Sequence, residues 1–319
     1  MSIATEQIKN PLSESELNKK GLCDYVINVA TGCLHGCKFC YVPSTPVIRM
    51  RGEYLAQQGV ADPQMEWGKY LFVREDVPEK LDKILANKRI WKETLSGKGV
   101  VMLCSGTDPY QNGRTAAITK ETVKVLLKHN RRVRILTRSP LWTKDLDILV
   151  HPNVTVGMSL PHMNDEWSRQ MEPGAPLPSD RLRALEEGKR SGCRTYVAIA
   201  PTPPMMEVQD FVILMAKLHY LEPEVMFWEP INARGTNGDR LLAAGLGWAK
   251  EVMSRKDAAS VFLKHRRLLL YSARNEGLID RAHLWPDPEI EKELRKTEFS
   301  QWIQQNFTDW YYKPTREVW

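Results

Sequence analysis

Short, nearly continuous apolar runs alternate along this chain with segments whose apolar residues recur at helical spacing. The runs predict six β-strands, at residues 25–30, 99–104, 132–137, 154–159, 195–200 and 224–229. Consecutive apolar positions are typical of strands that are buried on both faces, as in parallel sheets. The pattern therefore favours a largely parallel sheet over a sheet with one face in water.

Helical spacing connects these strands. Segment 118–130 places its apolar residues on one stripe, segment 179–192 begins with Ser179 as the predicted N-cap, and segment 208–220 has the same spacing. Strand–helix alternation of this kind predicts βαβ units with right-handed crossovers. We therefore expect an α/β fold, either a barrel or an open sheet.

Three other segments depart from this alternation. Residues 1–22 are polar and predict a loose lead-in, and residues 43–98 predict an insertion with a helix around 78–96. The chain after about residue 240 is charged, helical in pattern, and ends in the aromatic tail DWYYKPTREVW. We predict an N-terminal lead-in at 1–22, a core at 23–240, and a mainly helical C-terminal extension at 241–319.

Reactive side chains follow the ends of the predicted strands. A cysteine-rich loop comes after the first strand, and the next five strands end, in order, at Cys104, Thr137–Arg138, Ser159, Ala200 and Glu229. The carboxyl ends of parallel strands meet at one edge of a barrel or sheet. These residues are therefore expected to face one mouth.

Composition places this chemistry in a reducing compartment. The 319 residues include 42% hydrophobic residues, begin without the layout of a secretory signal, and lack an apolar run of the roughly 20 residues needed to cross a bilayer. We expect a cytoplasmic protein with no membrane association, in which clustered cysteines bind metal or act in redox chemistry. The net charge of +6 permits a polyanionic substrate without requiring one.

Half of the six cysteines lie in the stretch TGCLHGCKFCY, at Cys33, Cys37 and Cys40. With His35 as a fourth ligand they could form a zinc site, although one small loop would then have to close a tetrahedron alone. A 4Fe–4S cluster fits the spacing better. Such clusters normally take four cysteines, so three would leave one iron open to a small molecule.

The pattern CxxxCxxC after the first strand of a (βα)6 unit resembles the signature of the radical S-adenosylmethionine (SAM) enzymes. The resemblance implies a partial, TIM-like (βα)6 barrel in which SAM chelates the open iron of the 4Fe–4S cluster. An electron, from flavodoxin or ferredoxin, would cleave SAM to a 5′-deoxyadenosyl radical that abstracts hydrogen from the substrate. The resemblance also implies that Tyr41 lies near the adenine of SAM. Its alternative is an aromatic side chain packed in the core.

Further motifs resemble the spore photoproduct lyase-like branch of this superfamily. TGCLHGCKFCY, LCSGTDPYQ, ILTRS, VGMSL, MEPGAPLPSDRLRAL and VAIAP occur in the expected order over about residues 25–205. This resemblance implies that SAM is surrounded by Thr107, Arg138, Ser159 and Ala200. Arg138 stands where the lyase has a lysine, and arginine can bind the methionine carboxylate bidentately.

Three more polar residues in these motifs have two interpretations each. Asp108 either caps the following turn or binds a SAM hydroxyl, and Glu172 is expected to stabilise the EPG turn rather than to perform chemistry. By the resemblance, Cys104 is a candidate hydrogen-atom donor to the product radical. Its alternative is a buried strand-end cysteine that behaves as a small hydrophobe, and Cys23 and Cys193 are expected to be structural.

The substrate is less constrained. The lyase repairs DNA, and LKHRRLLLYSAR (263–274) is either a backbone-binding patch or a solvated helix face. Other members of the branch act on ribosomally made peptides, including a splicease that excises tyramine from a precursor backbone. We favour a precursor peptide, fragmented in a lyase-type reaction and presented by a separate small recognition protein. A nucleic-acid repair lyase, or an iron–sulfur or zinc protein that only binds a partner, remains open.

Overall fold

A long, mainly parallel sheet organises the chain, which is seen in a computed structural model that describes residues 4–285 and 287–297. The strands are β1 Ala4–Thr5, β2 Ser13–Glu14, β3 Tyr25–Ile27, β4 Ala30–Gly32, β5 Leu71–Val73, β6 Val101–Leu103, β7 Val133–Thr137, β8 Val154–Ser159, β9 Thr195–Thr202, β10 Met226–Pro230 and β11 Ala282–Leu284. The large sheet has the order β11-β10-β9-β8-β7-β6-β3-β2. Only the β2–β3 pair in it is antiparallel.

The helices between these strands complete an α/β partial barrel. They are α1 Pro46–Arg49, α2 Gly52–Gln57, α3 Val77–Asn87, α4 Gly113–Lys128, α5 Leu146–Leu149, α6 Asp165–Met171, α7 Pro178–Arg190, α8 Val208–Leu221, α9 Asn237–Ala243, α10 Arg255–Asn275 and α11 Pro288–Leu294. The six predicted strands are confirmed as β3 and β6 to β10, which lie side by side. The predicted fold class is therefore confirmed, while the domain boundaries at residues 22 and 240 stay predictions.

The first predicted strand is wrong in its length. Residues 25–30 divide between β3 in the large sheet and β4 in a second, three-stranded sheet of order β1-β5-β4. The division occurs at Asn28 and Val29, whose carbonyl oxygens accept hydrogen bonds from the side chain and the backbone of Arg74, at 3.0 and 2.9 Å. This bend carries the chain out of the large sheet immediately before the cysteine loop.

The lead-in is not loose, contrary to the sequence-based expectation. β1 pairs with β5, β2 pairs with β3, and a 3₁₀ helix at Glu16–Lys20 follows with Ser15 as its N-cap. Leu12 and Leu22 are buried. The carboxylate of Glu6, also buried, binds Arg74 at 2.7 Å and receives a second contact from Arg51. Apolar burial and paired charges thus hold a segment whose average composition is polar.

Two helix predictions also need correction. Ser179 is not the N-cap of α7, because Pro178 already occupies the first turn and Leu177 is the cap; the Ser179 hydroxyl contacts Asp165 at 2.8 Å instead. Proline is well suited to a first helical turn, since its missing N–H has no partner there. The helix expected around 78–96 ends at Asn87, and Trp91 beyond it stacks on Tyr25 at 4.0 Å.

Side chains of several strands pack together on one face of the large sheet. Val26, Met102, Tyr196 and Phe227 form one buried cluster there with Leu22 of the lead-in. The Tyr196 ring lies directly over Gly157 of β8. No helix of the described residues is long and apolar enough to span a membrane, and the aromatic tail 309–319 lies outside the described residues.

Replacing Gly157 with alanine should destabilise the fold. A β-carbon added at this position would lie 2.1 Å from Cζ of Tyr196, so the ring must move within a packed interior. Overpacking of this kind costs about 1–3 kcal/mol. Urea denaturation should show a lower midpoint for Gly157→Ala.

Gly113→Ala is the matched control for this prediction. Gly113 begins α4 and has nothing within 4 Å of an added β-carbon. Since alanine favours helix more than glycine does, this variant should keep or raise the midpoint. Equal midpoints for the two variants would contradict the packing described for Tyr196.

Candidate active site

The loop that carries Cys33, Cys37 and Cys40 follows β4 directly. All three cysteines are free thiols; Cys33 and Cys37 are buried and Cys40 is half-buried. Gly32 has a φ of +88° and lies so close to Tyr70 that a β-carbon would be 2.3 Å from its carbonyl oxygen. A left-handed glycine in close contact with a neighbouring backbone is therefore what lets the loop turn here.

Polar groups from distant parts of the chain hold the first half of this loop. The Thr107 hydroxyl donates to the Gly32 carbonyl at 2.5 Å, and the Leu34 backbone N–H donates to the Gln111 side chain at 2.7 Å. Gln111 in turn donates to the Thr107 hydroxyl at 2.8 Å. Thr107 is therefore already tied to the cysteine loop.

The second half of the loop is held by residues that the sequence analysis missed. Asn237 donates to the Phe39 carbonyl at 2.9 Å, and Arg240 donates to the carbonyls of Lys38, at 3.3 Å, and Cys40. Both side chains are buried. The only signal for them is the polar stretch NARGTNGDR after strand six, which resembles an ordinary surface loop.

The thiols lie in an apolar setting beside positive charge. Burial raises the pKa of Cys33 to about 12 and raises the pKa of Cys37 and Cys40, while the nearby Arg138 guanidinium works in the opposite direction at the latter two. Metal binding requires thiolates and so releases their protons. The donor set, three free thiols on one loop at spacings of four and three, suits an iron–sulfur cluster with one open iron.

The structure does not arrange a finished metal site. Among residues 4–285 and 287–297, no three His, Cys, Asp or Glu side chains already stand in metal-binding geometry. His35 points its Nδ1 toward the Asp108 carboxylate, at 3.4 Å. This contact engages one ring nitrogen only, and a carboxylate on that nitrogen is also the usual second partner of a metal-bound histidine.

Asp108 caps the turn after β6 and gathers several donors. Its carboxylate accepts hydrogen bonds from the Tyr110 N–H at 2.9 Å, the Thr137 hydroxyl at 2.7 Å and the Arg138 N–H at 2.7 Å. With the His35 contact, these fill the acceptor positions of the carboxylate. Asp108 therefore caps this turn, and the interpretation that it binds a SAM hydroxyl stays a prediction.

Glu172 joins two arginines in a charge cluster, in which Glu172 and Arg181 are buried and Arg138 is half-buried. Its carboxylate accepts from Arg138 Nε at 2.6 Å and from Arg181 Nη2 at 2.5 Å. Burial by itself would raise the pKa of Glu172, but the two guanidiniums hold this pKa far below its usual range. The expectation that Glu172 stabilises the EPG turn is therefore incomplete, because its carboxylate also binds two arginines from other elements.

The other predicted SAM-site residues lie around this cluster. The Ser159 carbonyl accepts from Arg181 Nη1 at 3.1 Å, and Arg138 Nη2 lies 3.5 Å from the Ala200 carbonyl. Tyr41 is 45% exposed, and its ring lies 5.0 Å below the guanidinium carbon of Arg234. The structure thus brings Arg138, Ser159 and Ala200 together, with Tyr41 at the exposed rim.

Cys104 follows β6 directly, and its backbone N–H donates to the Ile27 carbonyl at 3.1 Å. It is buried in the main hydrophobic core, and burial raises the pKa of its thiol to about 12. Its φ of 65° is in the left-handed region, which residues other than glycine seldom adopt. Such a backbone is compatible with a functional constraint, whereas the burial matches the structural alternative.

Comparisons with known proteins agree with this geometry. Residues 27–216 match the radical SAM superfamily. The uncharacterised protein ORF301 of Acidianus two-tailed virus is 30% identical over 220 residues, which cover 67% of this chain and 69% of that protein.

Solved structures show the same fold at low identity. A spore photoproduct lyase variant has a TM-score of 0.60 at 13% identity, covering 87% of this chain and 80% of that one; another structure of this lyase contains AdoMet and dinucleoside spore photoproduct. Streptococcus suis SuiB bound to precursor peptide SuiA has a TM-score of 0.55 at 12% identity, covering 88% of this chain and 54% of SuiB. With a superfamily match over more than half of its length, this chain belongs to the radical SAM superfamily.

Proposed function

We propose that this chain is a radical SAM lyase that fragments a bond in a ribosomally synthesised peptide. The observation that carries the radical chemistry is the CxxxCxxC loop, held at the strand ends beside Arg138. The cofactors would be a 4Fe–4S cluster on Cys33, Cys37 and Cys40 and SAM, whose reductive cleavage supplies the 5′-deoxyadenosyl radical. A flavodoxin or ferredoxin would supply the electron.

The chain's own residues bind and orient SAM in this proposal. Arg138 uses Nε for Glu172 at 2.6 Å, and its Nη2 lies 3.5 Å from the Ala200 carbonyl. Nη1 and the second N–H of Nη2 are the donors that it would offer to an incoming carboxylate. Paired N–H donors of this kind are the arginine geometry that suits carboxylates. Thr107, Ser159 and Ala200 would surround the remainder of SAM, and Tyr41 would lie near the adenine.

The peptide substrate is favoured by the likeness to SuiB, a structure bound to its precursor peptide. The nearly balanced charge of the chain, +6 over 319 residues, also fits a peptide at least as well as a polyanion. We propose a cytoplasmic enzyme that acts on a precursor presented by a small recognition protein. A short precursor and such a protein encoded beside this gene would support the assignment, and DNA-repair or sporulation genes there would oppose it.

A nucleic-acid lyase is the second candidate, favoured by the outer face of α10. Arg267, Tyr271 and Arg274 are exposed there, at the spacing of one helix stripe. Two members of the predicted basic patch are otherwise engaged, because Lys264 pairs with Glu207 at 2.7 Å and His265 is buried against the Pro204 carbonyl. Binding of duplex DNA that weakens steeply with salt and is lost in Arg267→Ala/Arg274→Ala would favour this candidate.

Cys37→Ala should abolish SAM cleavage. Removing one of three thiolates leaves too few ligands to anchor the cluster, so anaerobically reconstituted protein should lose its iron and form no 5′-deoxyadenosine above background. Cys193→Ala is the control, since Cys193 is a buried thiol outside the loop. Full SAM cleavage by Cys37→Ala would refute the cluster assignment.

Cys104→Ala should separate SAM cleavage from product formation. If Cys104 returns a hydrogen atom to the product radical, the variant should still form 5′-deoxyadenosine but yield less of the normal product. The assay compares both products per turnover, with the precursor peptide as substrate. An unchanged ratio would assign Cys104 to the hydrophobic core alone.

A further inference from the structure

The segment Met171–Gly174 contacts both the cysteine loop and Arg138. The Met171 carbonyl accepts from the Lys38 N–H at 2.8 Å, and the Gly174 N–H donates to the His35 carbonyl at 2.9 Å. Between these two bonds, the Glu172 carboxylate binds Arg138 Nε at 2.6 Å. Four consecutive residues therefore connect the cysteine-bearing loop to the arginine at the end of β7.

Arg181 connects Glu172 to Pro176 and to the end of β8. It binds the Glu172 carboxylate at 2.5 Å, the Pro176 carbonyl at 2.8 Å and the Ser159 carbonyl at 3.1 Å. The Ser168 hydroxyl donates to the same Glu172 oxygen, Oε2, at 2.9 Å, while Arg138 Nε binds Oε1. Both Glu172 oxygens are bound, so the carboxylate is held in one orientation. Its bond to Nε in turn orients the Arg138 guanidinium.

Gly174 makes the contact too close for any other residue. A β-carbon there would lie 2.2 Å from the Leu34 carbonyl oxygen and 3.1 Å from the His35 Cα. Both neighbours are backbone atoms of the cysteine loop. The separation between the segment and the loop is thus set by direct backbone packing.

We propose that Glu172 is a positioning residue, which holds Arg138 at a fixed distance from the cysteine loop so that one SAM molecule can reach both. SAM would bind the iron held by the loop and would also contact Arg138 through its carboxylate, so the spacing of the loop and Arg138 must suit both contacts. This inference rests on the proposed function. It assigns to Glu172 and Arg181 a role in cofactor geometry rather than in the chemical step.

Glu172→Gln tests this role with little change of shape. The amide keeps the size of the side chain but removes the charge that holds both guanidiniums. We expect the dissociation constant for SAM, measured by equilibrium dialysis of anaerobically reconstituted protein without reductant, to rise about tenfold or more. In cluster-free protein, hydrogen exchange of segment 33–41 should also become faster, which needs neither cofactor nor turnover.

Asp24→Asn is the matched control. Asp24 is also a buried carboxylate, and it accepts hydrogen bonds from the Thr94 and Gly99 backbone N–H groups at 3.0 and 2.8 Å. It precedes β3, at the opposite end of the strands from the cysteine loop. This variant should lose stability but keep the wild-type dissociation constant and the wild-type exchange of segment 33–41.

Each outcome decides a different question. A folded Glu172→Gln that binds SAM as tightly as the wild type overturns the positioning role while the proposed function stands. A wild-type protein that never cleaves SAM overturns the proposed function itself. Should Glu172→Gln not fold, Glu172→Asp keeps the charge but is too short to bind both arginines, and wild-type SAM affinity in that variant would also overturn the inference.

Discussion

The buried carboxylate of Glu172, held between Arg138 and Arg181, is the interaction on which the site geometry depends. Removing such charges from water costs several kcal/mol per ion, and this cost is recovered only with close partners and further hydrogen bonds. The ion pairs of 2.6 and 2.5 Å supply those partners. Because folding lowers the pKa of Glu172, this stabilisation is complete above the ordinary pKa of 4.5 and is lost as pH falls through the lower folded value.

The cysteine loop has little regular structure of its own, and the rest of the fold supplies its hydrogen-bond partners. Gln111 after β6 binds the Leu34 N–H, Met171 of α6 binds the Lys38 N–H, and Asn237 of α9 binds the Phe39 carbonyl. Buried backbone groups need such partners because an unpaired one costs about as much as a lost hydrogen bond. The loop can therefore reach its conformation only after distant strands and helices have assembled around it.

These long-range contacts explain which parts of the protein the sequence could predict. The six core strands and the cysteine spacing are local patterns, and the structure confirms the strands. The bend after β3, the ordered lead-in and the N-cap at Leu177 depend on Arg74, on the buried Glu6 and on Pro178. Only the last of these has a local signal, in the proline itself.

Long-range contacts also explain why the sequence did not indicate several residues of the site. Arg240 and Asn237 are polar side chains in a polar stretch, and nothing local distinguishes them from a solvated loop. Glu172 lies in a motif that was identified, but its two partners come from the end of β7 and from α7. Such a carboxylate can be identified as buried and paired only once the positions of both arginines in the fold are known.

The charges around the three thiols affect how the loop would bind a metal. Burial disfavours the thiolates more than Arg138 favours them, so the pKa of Cys37 stays well above its usual value. Arg240 adds a second cation, which binds the Cys40 carbonyl. A bound metal deprotonates a coordinating thiol outright, and the low local dielectric then strengthens the attraction of both arginines to the new charge. The same burial that keeps the free thiols protonated would thus stabilise the loop once iron is bound.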